Sequence, residues 1–428
     1  MTAPQPSWFG QPRGLTILFL TNMWEQFSYY GMRALLVYYM TKQLLIAQGD
    51  SSIIYGTYTA CAYFTPIVGG VIADRFLGKR RAIIIGGAMM ALGHFLMTFE
   101  PAFYAALAVI ALGNGLFLPS LPSQIDDLYE PGDPRVGWAY NVYYVGVNIG
   151  GFLAPLICGT LGELYGWHYG FGAAGVGMLL GLCIYLWGQR YLPEAARTRD
   201  AAPIARGAGR IGRETVMLLV AVALAVTVFR GAYEQMGNTV ALWADSSVDR
   251  QAGAMLIPMT WFQSLNPLMV MLFTPPLLAW WHRRAATGAN QAPARKMALG
   301  ALIVALAYVL LAALEWGHAG AQTGWLWFAL FFGVFTMGEL YILPTGLGLF
   351  ARMAPRGFGA TTVAAWYLAS FAGSLAAGLV GTLWSKMDHA VYFVLLAGIA
   401  GLAAMLLRLA DPLERRVAAT KKRESESL

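Results

Sequence analysis

Five charged residues interrupt otherwise apolar stretches of this chain: Glu25, Arg33, Arg230, Glu234 and Glu339. Inside hydrocarbon each such charge costs about 2.5–3.5 kcal/mol on insertion scales, so each needs a partner, a wet cavity or a bound solute. Glu25, Tyr29 and Arg33 recur at i, i+4 and i+8 and share one helical face, with Gln26 and Tyr30 nearby. Arg230 and Glu234 are likewise one turn apart. For Arg33 with Glu234, an ion pair that glues helices and a gate that moves are both open readings. Arg230 can serve as the partner of Glu234 or as the cation facing an anionic group of a substrate. Glu25 and Glu339 have no local cation, and that favours ion or proton binding over packing.

Bond-making chemistry has no comparable support. Cys61, Cys158 and Cys183 each stand alone in an apolar run, with no CxxC pairing. His168, His282, His318 and His389 fall in connecting segments, which leaves only His94 at depth. Neither a metal-ligand cluster nor a Ser/His or paired-Asp motif occurs, so no metal, no cofactor and no enzymatic activity are expected.

The elements that must hold these charges are long apolar helices. Of 428 residues 58% are apolar and 12% charged, against about 25% charged in an ordinary soluble domain. Runs long enough to cross about 30 Å of hydrocarbon recur throughout. They predict an all-α membrane protein with spans near 15–40, 53–73, 82–99, 101–122, 138–160, 169–188, 216–241, 253–281, 298–316, 324–350, 359–384 and 389–410. The first run is too long for a signal peptide, follows a single Arg13 and lacks a small-residue cleavage site, so it is expected to remain as a helix.

Charge placement sets the orientation. With both termini cytoplasmic, the 29 Lys and Arg residues gather at Arg13, Arg75 to Arg81, Arg135, Arg190 to Arg213, Arg283 to Lys296, Arg352, Arg356 and Arg408 to Arg423. Only Lys42, Arg250 and Lys386 fall outside, and Arg33 and Arg230 lie within spans. This is the positive-inside pattern of a multi-pass protein in a bacterial plasma (inner) membrane, and it accounts for the net charge of +7 without any nucleic-acid partner.

The chain also repeats itself. WEQF at Trp24 to Phe27 is answered by YEQM at Tyr233 to Met236, and GNGLFLP from Gly113 by GELYILP from Gly338, which pairs Asn114 with Glu339. Asn148, Gly151 and Gly159 match Ser370, Gly373 and Gly381. Two six-helix halves are expected, at 1–188 and 216–410, joined by a basic cytoplasmic linker at 189–215 and followed by a tail at 411–428. Facing repeats of this kind are the design of alternating-access carriers. Prolines inside spans, such as Pro119, Pro267 and Pro344, bend helices or free carbonyls toward a cavity.

The stretches WEQFSYYGMRALLVYYM, GGVIADRFLGKRR, YYVGVNIGGF, YEQMGNTVALWAD, WFQSLNPL and GELYILPTGL resemble the proton-dependent oligopeptide transporters over nearly the whole length. The resemblance implies the major facilitator fold. It also implies that Asn148, Asn266 and Glu339 hold a peptide's amino terminus, that Tyr29, Tyr30, Tyr63, Trp366 and Ser370 line the cavity, and that Arg33 and Glu234 lock the outer side. A carboxylate with amide oxygens suits an ammonium, and aromatic walls accept varied side chains.

Departures from the family pattern fall at charged positions. The family's Glu-x-x-Glu-Arg reads here Asn22, Met23, Trp24, Glu25, Gln26; its helix-four lysine is Leu118, the histidine of mammalian members is Gly56, and Arg230 stands where tryptophan is common. The expected function is that of a monomeric symporter, driven by protons through Glu25 and Glu234, for di- or tripeptides or related amino-bearing solutes. The alternatives are a carrier of a non-peptide substrate with altered or absent coupling, and a membrane sensor that no longer transports.

Overall fold

Apolar runs bounded by Gly, Pro and basic clusters fold into long helices throughout the described chain. The structure, a computed structural model, describes residues 7–8, 10–130, 132–193, 212–287, 292–318, 321–353 and 359–426. Among these, 12 long helices occur: α1 Arg13–Tyr38, α2 Gln48–Ile72, α3 Lys79–Leu96, α4 Phe103–Ser120, α5 Val136–Ala154 and α6 Trp167–Gly188, then α7 Arg213–Tyr233, α8 Leu265–Ala286, α9 Pro293–His318, α10 Trp325–Met353, α11 Gly359–Gly381 and α12 His389–Glu426. Nine stretches of the described residues are long and apolar enough to cross a membrane. The others, α1, α3 and α8, are interrupted by Asn22, Glu25 and Gln26, by Lys79 to Arg81, and by Pro275, Pro276, Arg283 and Arg284. Each expected span overlaps one of the twelve helices. Of the expected linker, 194–211 lie outside the described residues.

Departures from the expected bounds have local causes. The run expected as an unbroken span at 253–281 instead opens with a short hairpin, Gln251–Ala252 against Met255–Leu256, turned by Gly253 at φ +63. Pro258 then keeps Ile257 out of helix, and α8 starts only at Leu265 after a 3₁₀ segment, Met259–Ser264. Similarly, α7 stops at Tyr233 and yields to a 3₁₀ turn, Glu234–Gly237, before a further helix, Thr239–Ser247. At the other end, α12 continues through Pro412 to Glu426.

Two compact units form. The first contains Met1–Ile46, Cys61–Asp200 and Leu256–Leu268; the second contains Ala47–Ala60, Ala201–Met255 and Met269–Leu428. Glycine sets their tightest helix crossings, and the pattern repeats. In the first unit a methyl group at Gly113 of α4 would stand 2.6 Å from the Gly86 carbonyl oxygen of α3. In the second, a methyl group at Gly338 of α10 would stand 2.6 Å from the Gly300 carbonyl oxygen of α9. Backbones this close exclude any side chain and gain dense packing in return.

The α5 and α11 pair repeats as well. Within the first unit Gly159 abuts Thr260, and Glu163 caps the segment ahead of α8, accepting bonds from Met259 N (3.0 Å), Thr260 N (2.8 Å) and Thr260 Oγ1 (2.6 Å). Within the second unit Gly381 abuts Ser52, while Gln48 Nε2 donates to Gly381 O at 3.0 Å and Ser52 Oγ to Asn238 Oδ1 at 3.1 Å. These partners explain why α2 begins at polar Gln48, ahead of the expected 53.

The basic GGVIADRFLGKRR segment ties the first unit together at one end. Lys79 Nζ reaches Asp127 Oδ2 at 2.8 Å, and Arg80 Nη2 donates to the carbonyls of Leu192 (2.8 Å) and Pro193 (2.6 Å) just beyond α6.

Candidate functional site

In the first unit the groups expected to act lie along α1, α2 and α5 and at the start of α8. Glu25 is buried: Gln26 Nε2 donates to its Oε2 at 2.6 Å, while Oε1 has no hydrogen-bond partner among the described residues. Tyr29 and Tyr30 are half-buried and meet edge to face at 5.5 Å. A methyl group on Gly151 of α5 would lie 3.2 Å from the Tyr30 ring and 3.5 Å from Pro267, the residue after Asn266. Gly151 is thus flanked by Tyr30 and Pro267, and Asn148 lies one turn before it on the same helix. Asn148 is buried and donates to its own helix at Tyr144 O, 2.9 Å, which leaves its amide oxygen as an acceptor. Arg33 and Tyr63 are half-buried in the same unit. Asn22, one of the neutralised family positions, is buried with its amide on Tyr143 O at 3.1 Å.

In the second unit the central feature is an ion pair. Arg230 Nη1 lies 2.6 Å from Glu234 Oε1, with both side chains buried. The i, i+4 spacing across the end of α7 into the following 3₁₀ turn makes this contact available, and Gly373 of α11 leaves room for the Arg230 stem. Tyr233 sits between them in sequence: its ring lies 5.5 Å from the Arg230 guanidinium, and its hydroxyl donates to Glu339 Oε1 at 2.9 Å. Phe335, one turn before Glu339, stacks on Tyr233 at 5.5 Å and fixes its ring. Buried Trp366 packs against Phe350 at 5.6 Å, and buried Ser370 donates to Trp366 O at 3.1 Å.

The repeated position has diverged. Asn114 in α4 donates to Ala62 O at 3.2 Å and acts as a helix clamp, whereas Glu339 in α10 meets a side-chain hydroxyl. Tyr233 was absent from the sequence-derived set; the i, i+3, i+4 run of Arg230, Tyr233 and Glu234 was its available signal. Gln235 was missed too. It clamps α7 to α11 through Ala377 O at 2.7 Å. No group of three or more metal-ligating side chains occurs among the described residues.

A twelve-helix membrane bundle of this architecture is a transporter of the major facilitator type. The chain belongs to the POT family, whose model matches residues 80–205 and 212–395. It is 30% identical to the uncharacterized transporter YclF of Bacillus subtilis (strain 168), covering 97% of this chain and 96% of that one. It is 29% identical to the di-/tripeptide transporter of Lactococcus lactis subsp. cremoris, over 95% of this chain and 96% of the relative. Among solved structures it is similar to a peptide transporter POT in complex with sulfate, with TM-score 0.88, 28% identity, and coverage of 97% of this chain and 98% of the other. The chain is therefore a multi-pass membrane transporter and not an enzyme.

Proposed function

We propose that this transporter is a proton-coupled symporter that imports di- or tripeptides, or related small amino-bearing solutes, by alternating access. The observation that carries the reading is Glu339, a half-buried carboxylate in the middle of α10, oriented by the neutral hydroxyl of Tyr233. Such a group suits a substrate ammonium. The likeness to a di-/tripeptide transporter over nearly the whole chain supports the substrate class. Asn148 and Asn266 would add amide oxygens, Tyr29, Tyr30, Tyr63, Trp366 and Ser370 would shape the cavity, and Arg33, Arg230 and Glu234 would serve gating and substrate polarity. The protein works as a monomer in the bacterial inner membrane, with both termini cytoplasmic.

A second reading is a carrier of a non-peptide solute. It is favoured by Asn22 and Gln26, whose amides are committed to Tyr143 O and Glu25 inside the protein, at positions where the family carries charge. Uptake into proteoliposomes under an imposed pH gradient separates the two. Dipeptide should enter wild type, its N-acetylated form should not, and Glu339→Gln should abolish dipeptide binding while the protein still folds. Unchanged dipeptide affinity in Glu339→Gln would overturn the assignment.

A further inference from the structure

Helices α9 and α12 run antiparallel within the second unit, and their basic ends are pinned by carboxylates. Arg295 Nε bonds Asp411 Oδ2 at 2.7 Å, Arg415 Nη2 lies 3.3 Å from the same oxygen, and the Ala294 N–H donates to Glu414 Oε2 at 2.8 Å. Beside this cluster a groove of about 620 Å³ runs along the two helices, lined by Arg295 and Arg408 at the charged end and by Leu299, Leu302, Gly401 and Met405. Leu299, Leu302 and Met405 are exposed, and a side chain built on Gly401 would meet nothing within 4 Å.

The dimensions and charges of this groove are specific. Arg295 and Leu302 are seven residues apart, as are Gly401 and Arg408, so the groove descends about 10 Å from its charged mouth into apolar surface. Arg295 and Arg415 pair with Asp411, and Arg352 and Arg415 face Glu414, so with Arg408 the arginines outnumber the carboxylates and the cluster carries a positive excess. Arg408 is exposed, and no described residue pairs with it. The neighbouring basic residues lie on indole rings, as at a membrane interface: Arg284 over Trp280 at 4.7 Å and Lys296 over Trp281 at 4.6 Å.

We propose that this groove is a binding site for an anionic phospholipid, with the phosphodiester between Arg295 and Arg408 and an acyl chain lying over Gly401. The positive excess suits a phosphodiester anion, and guanidinium groups are well shaped to bind it. The apolar length beneath the arginines distinguishes a lipid from free phosphate, which has nothing to place there.

Native mass spectrometry on the full-length detergent-purified protein tests the site with phosphatidylglycerol and phosphatidylethanolamine of identical chains, and with inorganic phosphate. Wild type should retain phosphatidylglycerol about tenfold better, because phosphatidylethanolamine brings the same phosphodiester together with an ammonium that a positively charged site repels. Arg408→Gln should lose that preference, and Gly401→Leu, which fills open space, should lose the lipid. Both variants should melt like wild type in lipid-free detergent. Equal retention of the two lipids by wild type, or an unchanged preference in Arg408→Gln, would overturn the proposal. So would full retention in Gly401→Leu, or inorganic phosphate displacing the lipid in wild type.

Discussion

At the residue scale, the ion pair of Arg230 with Glu234 is held with both side chains buried. Removing one partner of a buried pair typically costs about 3–5 kcal/mol, much of it from the charge left behind. Arg230→Gln should therefore lower the melting temperature markedly, and Arg230→Lys less, because it keeps the charge but loses the planar fork. The double variant Arg230→Gln with Glu234→Gln should regain most of the loss, and thermal unfolding in detergent reads all three. A single Arg230→Gln that melts like wild type would show that the pair carries no stability. Glu25 calls for a different measurement, since its proposed role is to carry a proton. Glu25→Gln should preserve exchange of substrate across the membrane yet abolish accumulation under a pH gradient. Accumulation that survives the change would remove Glu25 from coupling. The pairing of Arg230 with Glu234 was legible because one helical turn separates them. The Tyr233 bond to Glu339 was not, since the two lie on different helices 106 residues apart.

Elements were read more easily than their interruptions. The pattern of apolar runs located the twelve helices, nine of them long and apolar enough by themselves to cross about 30 Å of hydrocarbon. It could not locate π-helical turns such as Tyr39–Gln43, Ala73–Leu77 and Pro155–Gly159, which leave the composition of the run unchanged. Nor could it place the start of α8, where Pro258 and a carboxylate from a distant segment, Glu163, decide the matter. The repeated glycine crossings, by contrast, follow from the sequence alignment of GNGLFLP with GELYILP. They predict that Gly113→Ala and Gly338→Ala each destabilise their unit by about 1–3 kcal/mol through overpacking. Gly348→Ala on the same helix as Gly338 meets nothing within 4 Å and should be neutral or slightly stabilising. Melting curves that rank Gly338→Ala with Gly348→Ala would refute the close crossing.

For the whole molecule, the proposed proton coupling has a measurable ceiling. One proton moving down 100 mV supplies about 2.3 kcal/mol, enough for roughly fiftyfold accumulation of substrate, and a proteoliposome assay that never exceeds the external concentration would reduce the chain to a facilitator. The composition of the two units bears on how the molecule is made. The first needs Leu256–Leu268 and the second needs Ala47–Ala60, so the boundary between units is not a boundary along the chain. A ribosome that has delivered all of α1 to α6 has not yet supplied Met259 and Thr260, the groups that satisfy Glu163. The second unit, conversely, draws on Gln48 and Ser52, made about 160 residues before α7 begins at Arg213. Biogenesis must then hold early helices incomplete in the membrane until late ones arrive. Halves expressed as separate polypeptides, divided near residue 200, should each be degraded alone and persist when co-expressed.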